Sequence, residues 1–188
     1  MSDSRKGSVD NIAELAKASQ AGQRGAFDQL VRLYQRRAMR AAVGILGDVN
    51  EAAEAVQVGF VNAYLNIGKL KEPERFEPWL LRIVTNAAIS QVRAAKRRHE
   101  KLKPAGDCAG NNSNTGIVGE SADELKEVIR QAMAKLSKKE AAAISLFGLE
   151  GMSHKGVAEI MNCSVEAVRW HVFNARKKLK VLLKEYLE

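Results

Sequence analysis

Residues 153–179 read Ser-His-Lys-Gly-Val-Ala-Glu-Ile-Met-Asn-Cys-Ser-Val-Glu-Ala-Val-Arg-Trp-His-Val-Phe-Asn-Ala-Arg-Lys-Lys-Leu, and their spacing decides the architecture. Ser153 stands where a helix cap belongs, its hydroxyl able to accept from first-turn amides. A short apolar set follows at Val157, Ala158, Ile160 and Met161. Asn162-Cys163-Ser164 interrupts it, and Ser164 caps a second helix. There Val165, Val168, Val172, Ala175, Leu179 and Leu182 step by three and four, the period of one helical face. The opposite face carries Glu166, Arg169, Trp170, Phe173, Asn174, Arg176, Lys177 and Lys178. Two helices joined by a three-residue turn predict a helix-turn-helix, whose second helix can enter the major groove. Lys177, Lys178 and Lys180 would then face phosphates. A helical hairpin that packs another protein shares this spacing. Two aromatics beside arginines on a polar face favour DNA.

Upstream, Ser137 and Glu140 have capping-box spacing, and helices are expected over roughly 122–135 and 137–148. Residues 104–121 are rich in Gly, Asn and Ser and show no period, which predicts a flexible linker. It divides the chain into domains of 1–103 and 122–188. In the first, Phe27, Leu30, Val31, Tyr34, Ala38, Ala41 and Ile45 mark one helical face. Gly47-Asp48 ends that helix and starts the next, which runs to about Ile67. A loop follows over 68–74. A third long helix starts around Arg75–Pro78 and reaches about Arg98, with Trp79, Leu80, Ile83, Val84, Ala87 and Val92 as its apolar set. The stretch before Ile12 is left unassigned. The expectation is all-α, two small helical domains joined by a flexible linker.

The chain is 46% hydrophobic and only 5% aromatic, so its core must be mainly aliphatic; the net charge of +8 favours a polyanionic partner. Cys108 and Cys163 form no zinc spacing, and a reducing compartment is the simpler reading. His99, His154 and His171 have no ligand spacing either. Glu51, Glu54, Glu72, Glu74 and Glu77 are scattered, so no metal, no cofactor and no enzymatic activity are expected. With no signal peptide and no membrane span, the protein is expected in the cytoplasm. The third helix ends in a basic run, Arg93, Lys96, Arg97, Arg98, Lys101 and Lys103. Such a run is also an ordinary solvated helix end. Here it follows Asn86 and Ser90, which share a face with Arg93, and the preceding loop carries Leu70, Lys71 and Phe76. Hydrogen-bonding, basic and aromatic groups together suit an unpaired nucleic-acid strand.

Three segments resemble a known family: Ala-Glu-Ala-Val-Gln-Val-Gly-Phe (53–60), Phe-Glu-Pro-Trp-Leu-Leu-Arg-Ile-Val-Thr-Asn (76–86) and the segment from Met152 to Leu179. In order and spacing they are similar to extracytoplasmic-function sigma factors of bacterial RNA polymerase, over about residues 20–185. The resemblance implies sigma region 2, which binds the β′ clamp helices of core polymerase and opens the −10 element. It implies sigma region 4, which binds the β flap and reads the −35 element. It also implies an anti-sigma partner. By position it assigns Glu54, Gln57 and Phe60 to core polymerase. It assigns Leu70, Lys71, Phe76, Asn86, Ser90, Arg93 and Arg97 to the −10 strand. Arg169, Trp170, Phe173, Asn174, Arg176 and Lys177 fall to the −35 element. For Phe60, Phe76 and Trp79 a place in the core is the competing reading. The chain departs from the family pattern at Ala53 and Val58, where acids are usual, which puts the strength of polymerase binding in question. It departs also at Glu166-Ala167, Trp170-His171 and Asn174, so a typical −35 sequence does not carry over. A helix-turn-helix regulator that works without polymerase is the alternative.

Overall fold

A computed structural model describes the backbone of residues 3–101 and 120–186, and the side chains of 11–94, 124–184 and 186. Among the described residues there is no strand. Eight α-helices follow in order: α1 (Asp3–Gln20), α2 (Arg24–Leu46), α3 (Val49–Asn66), α4 (Phe76–Lys101), α5 (Glu120–Ala134), α6 (Lys138–Ile144), α7 (His154–Met161) and α8 (Val165–Leu182). Most of the linker expected over 104–121, with Cys108, lies outside the described residues. Helix α1 was not expected; its Ile12, Leu15, Ala16 and Ser19 keep helical spacing and face the first core.

Local chemistry sets the boundaries. Gly47 ends α2 at φ 81°, a left-handed conformation that only glycine adopts freely. One residue later the Asp48 carboxylate accepts from the amides of Asn50 and Glu51, both at 2.9 Å, and starts α3. Ser137 and Glu140 complete their capping box at α6. Ser153 and Ser164 each accept from an amide three residues on, at 3.1 Å, starting α7 and α8. Helix α6 runs into a π turn, Ser145–Leu149.

The first core joins α1 to α4 around Leu30, Tyr34, Phe60, Phe76, Leu80 and Val84. Helices α3 and α4 approach closely at Gly59, where a Cβ would stand 3.2 Å from the Val84 Cα. The second core joins α6, α7 and α8 around Leu146, Val157, Ile160, Val168 and Val172. It does not stop at its own half. Ala41 of α2 and Leu81 of α4 are buried in it. Ile45, Ala55 and Ala88 likewise pack with Ala142 and Met161. The two halves, expected as separate bodies, are docked along an apolar seam.

Candidate nucleic-acid interface

In the second half the predicted helix-turn-helix forms. Helix α7 closes on Asn162 at φ 51°, whose short polar side chain tolerates the left-handed region. Val168, Val172 and Ala175 of α8 are buried, which fixes the helix by one face. The other face is open: Trp170 is 61% and Phe173 65% exposed, and Arg169, Arg176 and Lys177 also face solvent. Asn174 is half-buried. The Arg176 guanidinium lies 5.3 Å above the Phe147 ring, which packs on His154 at 4.3 Å between centroids. This stack holds a long side chain in one place without neutralising it.

One group behaves differently from the sequence reading. Lys178, expected on the phosphate face, bridges the Glu140 carboxylate at 2.8 and 2.9 Å. Burial raises the Glu140 carboxyl, but Lys178 and Ser137 outweigh it and leave its pKa below the usual value. Glu166 has its pKa lowered by its own backbone N–H and the Ser164 hydroxyl, which matches a carboxylate seated on a helix N-terminus. Burial pushes the Cys163 thiol up, so it behaves as a packing residue in the turn.

In the first half, Glu54 and Gln57 are exposed on α3, whereas Phe60 is buried. Glu54 accepts from the Gln91 amide at 3.1 Å across to α4. Both side chains line a groove together with Val58, Asn62, Asn86 and Ser90. Arg93 is exposed on the same helix; the side chain of Arg97 lies outside the described residues. In the loop before α4, Lys71 is exposed but Leu70 is 7% and Phe76 0% exposed. Phe76 sits between Tyr34 and Trp79, with centroids 5.6 and 5.9 Å away. The Gln20 amide donates to the carbonyls of Ile67 and Leu70 at 3.0 and 2.7 Å, tying the loop to the end of α1. Leu70 and Phe76 therefore shape the loop from inside, and Phe60 belongs to the same core.

Beside the loop is a small cleft lined by Leu70, Lys71, Glu72, Arg75, Pro78, Trp79, Arg82 and Glu159. Arg75 and Arg82 were not singled out from the sequence. Arg75 is paired with Glu159 of α7, a residue from the other half. A second cross-half cluster joins Glu150 to Arg40 at 2.6 Å and to Arg37 at 3.1 Å, with Arg37 also paired to Glu77. No local pattern reveals such pairs, because their partners are far apart in sequence.

The family model for Sigma-70 region 2 matches residues 30–98, and that for Sigma-70, region 4 matches residues 126–179. The chain is 30% identical to the RNA polymerase sigma-H factor of Pseudomonas aeruginosa, covering 92% of this chain and 95% of that one. It is 29% identical to the ECF RNA polymerase sigma factor SigW of Bacillus subtilis, covering 93% and 97%. Among solved structures it is similar to CnrH in complex with the cytosolic domain of CnrY, with TM-score 0.68, 25% identity and coverage of 93% and 98%. A similar fold is seen in the sigma factor RpoE in complex with the anti-sigma factor NepR from Bartonella quintana, with TM-score 0.66, 24% identity and coverage of 84% and 96%.

Proposed function

Since the chain belongs to the extracytoplasmic-function sigma factors of the sigma-70 family, we propose that it works as their promoter-specificity subunit. It directs bacterial core RNA polymerase to its promoters and helps to open the −10 region. The observation that supports this most is the presence, in one chain, of two different surfaces suited to nucleic acid: an exposed aromatic and basic face on α8, and a cleft and loop leading into α4 that carry Lys71, Arg75 and Arg82. The first suits a duplex groove. The second suits an opened strand, whose bases and backbone need polar and basic groups together.

In this reading Arg169, Trp170, Phe173, Asn174, Arg176 and Lys177 meet the −35 element, bases by side-chain edges and phosphates by charge. Lys71, on a loop shaped by Leu70 and Phe76, and Asn86, Ser90, Arg93 and Arg97 of α4 meet the −10 strand. Glu54 and Gln57 meet the β′ clamp helices, on a helix held by Phe60, and region 4 meets the β flap. The chain itself is non-catalytic, uses no cofactor and acts in the cytoplasm; no described helix is long and apolar enough to cross a membrane. An anti-sigma protein that covers the polymerase-binding faces is the expected inhibitor, by analogy with the partners named for the solved relatives.

In vitro transcription on a genomic fragment library, with core polymerase alone and with the chain added, tests this. New discrete start sites only in the presence of the chain are expected. Unchanged core specificity, with the chain alone protecting duplex DNA, would replace this function with that of a polymerase-independent regulator.

A further inference from the structure

Arg176 differs from the other cations of α8 in what it packs on. The buried line of this helix runs through Val168, Val172 and Ala175. Arg176 follows Val172 by one turn and Ala175 by one residue, so it leaves the helix at the rim of that line. Trp170, Phe173 and Lys177 stand further round, on the open face. On the opposite rim Lys178 is taken up by Glu140. Arg176 is exposed, and its guanidinium meets a ring, lying 5.3 Å above Phe147.

Phe147 belongs to neither helix of the helix-turn-helix. It stands in the π turn Ser145–Leu149. There the Glu150 N–H donates to the Ser145 carbonyl and the Met152 N–H to the Leu146 carbonyl, both at 3.1 Å. The Phe147 ring packs on the second core and on His154, the first residue of α7, at 4.3 Å between centroids. Turn, core and α7 therefore fix the ring before DNA arrives, and the ring fixes the guanidinium.

A guanidinium has two kinds of surface. Its face stacks on aromatic rings, and its edge carries the N–H donors. Stacking on Phe147 occupies the face and leaves the edge free. A mobile arginine loses rotamer freedom when it binds, which weakens binding. Here the fold has already ordered the side chain. In a recognition helix the N-terminal residues reach base edges. Arg176 lies about three turns beyond Val165 and at the rim, a place that suits the sugar-phosphate backbone beside the groove.

We propose that Phe147 is a positioning residue for the −35 element: it holds Arg176 by its face, so that the guanidinium edge meets a phosphate flanking the groove. Phe147 acts through Arg176 and not on DNA directly. This inference rests on the reading of α8 as the −35 surface.

The test uses holoenzyme assembled from core polymerase and the full chain. The probe is a fluorescent duplex of the strongest promoter fragment recovered by transcription, and affinity is measured across a salt series. The variants are F147L, F147Y, R176Q, R176K and F147L/R176Q, each checked by thermal unfolding. R176Q should bind about tenfold weaker or more, as when a charged hydrogen bond is lost. Its slope of log affinity against log salt should be shallower by about 0.9. F147L keeps every charge, yet should bind about three- to tenfold weaker, with a shallower slope. R176K keeps the charge without a planar face and leaves the core untouched; it should fall with F147L. F147Y keeps the ring and should match the wild type. Beside R176Q, F147L should add no further loss. The losses should be the same for every base change in the −35 element, since a phosphate carries no sequence.

Several outcomes overturn the proposal. An F147L or R176K that binds like the wild type shows that the stack is not needed. An F147Y as weak as F147L shows that the ring is not what matters. A F147L loss that persists in full beside R176Q is a structural effect on region 4. A loss confined to one base pair puts Arg176 on a base edge and not on a phosphate. All of these leave the −35 reading intact. A wild-type holoenzyme no tighter on the fragment than core alone removes that reading, and the proposal with it.

Discussion

Two segments of this molecule combine aromatic with basic residues, the loop leading into α4 and the recognition helix α8, and the fold uses their rings in opposite ways. On α8, Trp170 and Phe173 are largely exposed. Around the loop, Phe76 is fully buried between Tyr34 and Trp79, and the polar heads of Lys71, Glu72, Arg75 and Arg82 take the exposed positions. Burial of an aromatic ring is strongly favourable once. Phe76 has already used it to hold the loop, whereas the α8 rings keep theirs for a partner. The same residue types thus act as scaffold in one reader and as contact surface in the other.

The largest expected effects test this contrast directly. Phe76→Ala should lose about 3–5 kcal/mol of stability, as for any large buried ring, and should unfold region 2 before its effect on promoters can be read. Trp170→Ala and Phe173→Ala should change stability by no more than about 0.5 kcal/mol. They should lower occupancy of the −35 element by holoenzyme by about tenfold or more, as central interface aromatics do. Denaturant unfolding and footprinting separate the two classes. A mild Phe76→Ala, or a Trp170→Ala that destabilises as strongly, would break the comparison.

A smaller effect is expected at the seam. Gly44→Ala improves α2 by up to about 1 kcal/mol of helix propensity. Its methyl group, however, meets the Ser145 side chain well inside contact distance, a kind of overpacking that typically costs 1–3 kcal/mol. The clash falls on docking alone. The variant should therefore unfold in two calorimetric transitions, where the wild type shows one. A single, higher transition would mean that the seam adjusts freely and does not couple the halves.

The helices of each half were legible in the sequence because their signals are local. Caps at Asp48, Ser137, Ser153 and Ser164, the Gly47 stop and the three-four spacing of α2, α4 and α8 lie within a few residues of what they determine. The seam was not legible. Leu81 and Ala88 fall outside the apolar face assigned to α4, and Ala41 and Ile45 look like ordinary core residues; only the docked fold shows that they face region 4. Lys178 shares the polar face of α8 with Lys177, and only the folded chain shows that Glu140, 38 residues away and already engaged in its capping box, holds it. Phe60 and Phe76 illustrate the remaining ambiguity. A motif position gives the neighbourhood of a function, and burial decides whether the side chain touches the ligand or supports what does.

The smallest effect expected is a pH dependence of docking. Glu150 has its pKa lowered below 4.5, first by the hydrogen bond from Arg40 and then by the charges of Arg40 and Arg37, against the opposing effect of burial. The facing groups are Arg37 and Arg40 on α2, and Glu77 of α4, which shares Arg37. A group depressed in the docked form contributes docking stability above its ordinary pKa and loses it as pH falls through the depressed value. The halves should therefore stay closed at neutral pH and loosen only on the acid side of 4.5. Ion pairs of this kind contribute about 0.2–1 kcal/mol each, so the change in mean separation should be modest. Scattering measured across that range, for wild type and Glu150→Gln, reads it out. The variant should be looser at neutral pH and flat with acidification. If both chains follow the same curve, the pH dependence comes from other carboxylates, and the Glu150 cluster positions the halves without governing their separation.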